Sequence, residues 1–90
     1  MALIWDSKDP DEVLDYDVVW TLRLAGDTID SSTWVVPAGV TYSNPTFTAN
    51  TTKVWLAGGT IGSTYQILNR ITTAGGRTMD QMVEISIKVR

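Results

Sequence analysis

An all-β single domain, built as an antiparallel β-sandwich of about seven strands, is the fold class this sequence predicts. Three observations predict it. Apolar residues recur at every second position, which places each set on one face of a strand. Turn residues interrupt these runs roughly every 8–12 residues, and no stretch carries a helical period. Together these features indicate a sandwich of the immunoglobulin type.

The clearest run lies in the last third. Tyr65, Ile67, Asn69 and Ile71 alternate with Thr64, Gln66, Leu68, Arg70 and Thr72. After Ala74-Gly75-Gly76, the residues Val83, Ile85, Ile87 and Val89 alternate with Glu84, Ser86, Lys88 and Arg90. Two such runs around a Gly-Gly turn predict an antiparallel pair, with the final strand running to the last residue. Tyr65 heads the penultimate strand just after a Gly-Ser turn, which suits a tyrosine corner whose hydroxyl bonds backbone a few residues upstream.

Earlier elements follow the same logic. Residues 1–12 are expected to form an N-terminal arm and 13–90 the sandwich. Leu3, Ile4 and Trp5 open the arm, and Asp9-Pro10-Asp11-Glu12 reads as a loop with one turn, Asp9 capping it and Pro10 at its first position. From Tyr16 to Leu24 the alternation predicts one long strand with Tyr16, Val18, Trp20, Leu22 and Leu24 on its buried face. Thr28–Val36 predicts the next, with Trp34 inward. Val40–Asn50 predicts an edge strand bent at Asn44-Pro45, because proline cannot donate to a ladder. Thr51–Ala57 is a strand, and the segment from Gly58 to Ser63 a turn. The expected core anchors are Trp20, Trp34, Tyr65, Ile67, Ile85 and Ile87.

Composition narrows function mainly by exclusion. The chain has 90 residues, no Cys and no His, so it can hold neither a disulfide nor a Ser–His–Asp or Cys–His centre. A net charge of -3 argues against binding a phosphate backbone. Eight of the ten acids fall within residues 1–30 (Asp6, Asp9, Asp11, Glu12, Asp15, Asp17, Asp27 and Asp30). Beyond residue 30, five bases (Lys53, Arg70, Arg77, Lys88 and Arg90) face two acids (Asp80 and Glu84), an asymmetry that fits solvated acidic loops first and head-to-tail stacking of copies as the alternative. No apolar run reaches membrane-spanning length, and the N-terminus lacks the basic start and apolar stretch of a signal peptide, so synthesis in the cytoplasm is expected.

The remaining chemical motifs are weak. Asp15 and Asp17 share a strand face, close enough to couple as a carboxylate dyad but set on the wet side. Asp9-Pro10-Asp11-Glu12 lacks the glycine and distal glutamate of a calcium loop. The glycine-rich segment 58–63 has neither the lysine nor the helix of a phosphate loop. No catalytic, metal or cofactor residues are therefore expected. Trp5 and Trp55 fall outside the clean core faces, and an exposed tryptophan suits a partner pocket or a sugar.

Several segments then resemble one family. They are Lys8 to Tyr16, Asp17-Val18-Val19-Trp20, Leu24 to Ile29, Ser32-Thr33-Trp34, Val54 to Thr60, and Asn69 to Arg77. In order and spacing these are similar to small structural proteins of tailed bacteriophages, the phage fiber–tail adaptor proteins. The resemblance covers residues 8 to 90. It implies a non-enzymatic virion component with an immunoglobulin-like fold, made in the bacterial host cytoplasm. Its partners would be other virion proteins (tail, neck or fiber) and copies of itself, with no nucleic acid and no membrane. The contacts expected to serve this role are Trp5, Asp9, Asp11, Glu12, Asp15, Asp17 and Trp55. The alternatives are a head decoration protein, or a carbohydrate-binding module with Trp55 and Tyr42 as its stacking platform.

Overall fold

The computed structural model describes residues 3–90. Seven strands and one short helix follow in the order β1 (Leu3–Ile4), β2 (Leu14–Val19), α1 (Thr21–Leu24), β3 (Ile29–Val35), β4 (Val40–Phe47), β5 (Thr51–Gly58), β6 (Thr64–Thr73) and β7 (Thr78–Ser86). They form a four-stranded sheet in the order β1-β7-β6-β3 and a three-stranded sheet in the order β2-β5-β4. In the lettering of immunoglobulin domains, β2, β5 and β4 take the places of B, E and D, and β3, β6 and β7 those of C, F and G. The first strand lies beside the last, on the C-F-G side.

Alternation explains the core. On β6 the residues Ile67, Asn69, Ile71 and Thr73 are buried, and on β7 Val83 and Ile85 are buried, so one face of each strand turns inward. Val54 and Leu56 of β5 meet them from the other sheet, both at 0% exposure. Trp20 and Trp34 belong to the same buried cluster. In β3 the inward set changes phase between Ile29 and Trp34, because the register against β6 shifts between Ile29 and Ser31.

Three expectations need correcting. The strand predicted over Tyr16–Leu24 ends at Val19, and α1 follows. Leu24 N–H donates to Trp20 O at 2.9 Å, so these two residues share a helical face while Leu22 points away and is 95% exposed. The ladder is not wholly antiparallel, because β1 pairs parallel to β7 with Leu3 opposite Val83 and Ile4 opposite Glu84. The last strand starts at Thr78 and stops at Ser86, leaving Val89 74% exposed. Beyond Ser86 the chain is still held, since Lys8 bridges Ile87 in parallel and Lys88 N–H donates to Lys8 O at 2.9 Å.

The bent edge strand predicted at Val40–Asn50 is β4. Its register against β5 shifts between Ser43 and Thr46, where Asn44 takes the left-handed conformation at φ 48° just before Pro45. Tyr65, at the head of β6, accepts a hydrogen bond from Thr60 N–H at 3.0 Å, closing the corner between β5 and β6. Gly59 lies in the same corner at φ 101°, and a Cβ there would sit 2.6 Å from Ile87 Cγ1. Only glycine lets the turn lie this close to the end of the sandwich.

At the opposite end, Asp27 fastens the β6–β7 turn. Its Oδ1 accepts from Thr28 N–H at 2.8 Å and Gly75 N–H at 3.1 Å, and its Oδ2 accepts from Arg77 Nε at 3.3 Å. The Thr73 hydroxyl foremost, then these backbone donors and Arg77, hold its carboxyl at about 2, below the usual 3.8. A carboxyl lowered on folding stabilises the native state above its unfolded value, and the contribution fades as pH falls through the folded one. Stability is therefore expected to decline as pH drops from about 4 to about 2. Asp27→Asn should flatten that part of a pH–melting curve, and an unchanged slope would contradict the assignment.

Candidate assembly surface

The arm is clasped to the sandwich by polar contacts. Lys8 is fully buried, at 0% exposure, and its ammonium donates to Gly58 O at 2.7 Å, Asp9 O at 2.7 Å and Pro10 O at 3.5 Å. A charged donor shared among carbonyls gives stronger bonds than neutral pairs. The Gly58 bond ties the arm to the end of β5. The turn that follows is a capping box in miniature. Asp9 Oδ1 accepts from Asp11 N–H at 3.0 Å, and Glu12 Oε1 accepts from Asp9 N–H at 2.8 Å. Asp9 Oδ2 also accepts from Arg90 N–H at 3.3 Å. The Asp11 backbone N–H, and after it that of Arg90, hold the Asp9 carboxyl below the usual carboxylate range.

Trp5 is half-buried and not a free platform. Its ring stacks on Tyr16 with centroids 4.8 Å apart and planes 18° apart, and lies 5.9 Å from the Trp34 ring. Its indole N–H donates to Asp17 O at 3.0 Å, while Tyr16 Oη donates to Asp6 O at 3.2 Å. These contacts join the arm to β2 and leave a groove of about 450 Å³. Ile4, Trp5, Leu14 and Tyr16 supply its apolar lining, and Asp6, Asp15, Asp17 and Arg90 are its charged residues.

The remaining predicted contact residues divide into two places. Asp15 and Asp17 are exposed on the outer face of β2, where Lys53 Nζ lies 3.4 Å from Asp15 Oδ2. Trp55 stands opposite Asp15 and Ser43 on that same face, 36% exposed. Asp9, Asp11 and Glu12 sit in the arm's turn. Tyr42 pairs with Leu56, which is buried, so Tyr42 is on the inner face of the sheet and Trp55 on the outer. The expected Trp55–Tyr42 stacking platform does not exist, because register places the two rings on opposite sides.

Of the expected core anchors, Ile67 and Ile85 are at 0% exposure, Trp20 and Ile87 at 1%, and Trp34 at 7%; Tyr65 is partly buried. Among the described residues four buried polar side chains accompany them, Lys8, Thr52, Asn69 and Thr73, and two of these make three or more side-chain hydrogen bonds each. Asn69 Oδ1 accepts from Thr52 Oγ1 at 2.6 Å and Trp20 Nε1 at 3.0 Å, and its Nδ2 donates to Ser32 Oγ and Thr33 O, each at 3.0 Å. This network crosses between the two sheets. Lys8 is the other. The sequence signal for Asn69 was its place between Ile67 and Ile71 on one strand face; nothing in the pattern marked Lys8.

Among the described residues, no three acidic, His or Cys side chains gather as a metal cluster. The polar chemistry that is present mostly holds the molecule together. The geometry thus defines a class, a small immunoglobulin-like β-sandwich whose arm and turns are locked by buried and bridging polar groups. A family model described as podophage GP4 fiber-tail adaptor protein gp77 matches residues 8–86, and the chain belongs to that family. By that name, its members are structural components of a phage particle. A comparison with curated proteins found no match.

Proposed function

We propose that the protein joins the tail or neck of a podophage particle to its fibers through protein–protein contacts, in several copies per particle. The family match over residues 8–86 carries this reading. The architecture supports it, because the two sheets end in edge strands, β1 and β3 in one and β2 and β4 in the other, and of the second pair β2 keeps an unbroken edge. The contacts are proposed to involve the Trp5 groove with Asp15 and Asp17, the outer-face Trp55, and the arm's turn at Asp9, Asp11 and Glu12. Synthesis in the host cytoplasm and assembly there complete the picture. The arm, residues 1–12, acts as a segment distinct from the 13–90 sandwich, clasped at Lys8 and Trp5.

Electron microscopy of particles made without this gene tests the reading. Complete heads with tails that carry no fibers are the expected outcome. Fully fibered but fragile particles would overturn it in favour of a decoration role.

A further inference from the structure

We infer that the groove between β1 and the edge of β2, open at Asp15 and bridged by the Trp5 indole at Asp17 O, takes a short extended segment of a partner protein that alternates basic and apolar residues, adding it to β2 as a strand. This rests on the adaptor reading for the source of the segment, another virion protein. The chemistry rests on this chain alone.

The backbone comes first. Trp20 N–H donates to Asn50 O on the β5 side, whereas Asp17 O faces the other way and accepts from the Trp5 indole. In an antiparallel ladder, successive residues direct their backbone groups to alternate sides. Asp15 and Asp17 therefore turn theirs toward the groove. Among the described residues, Asp15 N–H, Asp15 C=O and Asp17 N–H have no partner there. Unpaired edge groups of this kind are the template for strand addition.

The other edge of this sheet is blunted and β2 is not. β4 carries Pro45, the left-handed Asn44 and a register shift, which are devices against edge pairing. β2 keeps an unbroken register over Leu14–Val19 and contains no proline.

Side chains then choose the occupant. An added strand alternates as β2 does, so its side chains meet Leu14 and Tyr16 on the inner side and Asp15 and Asp17 on the outer. The inner side is apolar, with Ile4 and Trp5 completing it. The outer side is acidic. Lys53 answers Asp15, but the Asp6 and Asp17 carboxylates have no basic or hydrogen-bonding partner among the described residues. Arg90, the one base lining the groove among the described residues, directs its guanidinium to Ser7 O. Complementary charge then selects lysine or arginine at every second position of the guest.

The test titrates the full chain with a synthetic peptide of alternating Lys-Val-Arg-Val-Lys-Val sequence, followed by amide chemical shifts and tryptophan fluorescence. Shifts centred on Asp15, Asp17 and the Trp5 indole are expected. Affinity should fall about tenfold for a Glu-Val-Glu-Val-Glu-Val peptide and about tenfold for the Asp15→Asn/Asp17→Asn variant, whose altered groups are exposed. Methylating the peptide nitrogens that face β2 should weaken binding at least as much, because strand addition needs those donors. Equal binding by the methylated peptide would leave only diffuse charge attraction and overturn the proposal. Shifts centred on β3 or β4, or a self-dimer that fills the groove, would overturn it too.

Particles separate this proposal from the reading beneath it. Fiberless particles on gene deletion, with fully fibered particles from the Asp15→Asn/Asp17→Asn variant, would sink the groove and leave the adaptor role standing. Fibered deletion particles with a bound peptide would do the reverse.

Discussion

Asn69→Leu is expected to lower the free energy of unfolding by about 3 kcal/mol, although leucine keeps the branched outline of asparagine at Cγ. Asn69 is at 0% exposure, and its amide answers Thr52 and Trp20 on one side and Ser32 and Thr33 on the other. Without it, Thr33 O loses a donor at a part-buried position. Trp20 Nε1 would keep only the 3.3 Å contact to Thr52 Oγ1. Each buried group left unsatisfied costs about 1–3 kcal/mol, while the gain from burying leucine offsets part of the loss. Thr52→Val should cost less, about 1 kcal/mol, because Asn69 retains its bond to Trp20. Urea denaturation of the two variants checks the order. A leucine variant as stable as the parent would mean that the network adds specificity to the sandwich and no net stability.

Lys8→Met is expected to cost about 2 kcal/mol and to loosen the arm first. Methionine preserves most of the buried stem, so what is lost is the ammonium and its bonds to Gly58 O, Asp9 O and Pro10 O. Hydrogen exchange should show faster opening at the Lys88 and Trp5 amides, which donate to Lys8 O and Glu84 O, than at amides within β6. Uniform acceleration across the whole chain would instead place Lys8 in the global fold and not in a local clasp.

These two side chains also show what the sequence could and could not reveal. The strand pair β6–β7 was legible, because its inward residues keep parity over long stretches and no bulge intervenes. The edge character of β4 was legible from Pro45. The one-turn helix after Trp20 was hidden, since four residues are too few to display a helical period and Leu22 kept the strand's parity by coincidence. Burial of Lys8 was invisible, because lysine is ordinarily a surface residue and its carbonyl partners are backbone groups that any sequence has. The faces of Tyr42 and Trp55 depended on pairing between strands, and alternation within each strand does not set that.

The site followed the same division. The acidic character of Asp15 and Asp17 on an outer face could be read from spacing. The groove could not, because it exists only where the arm crosses the β2 edge. Trp5 looked available from its position in the sequence, yet it lies against Tyr16 and reaches Asp17 O.

The parallel alignment of β1 with β7 has a mechanical side. When the arm and the C-terminal strand are pulled in opposite directions, parallel neighbours slide past one another and their rungs are loaded together. An antiparallel hairpin pulled at its open end parts one rung at a time. In the linking role proposed above, the protein would be subject to such tension. Here the rungs at Leu3–Ile4, the bridge at Ile87 and the ammonium of Lys8 would share the load, with the rest of the sandwich behind them.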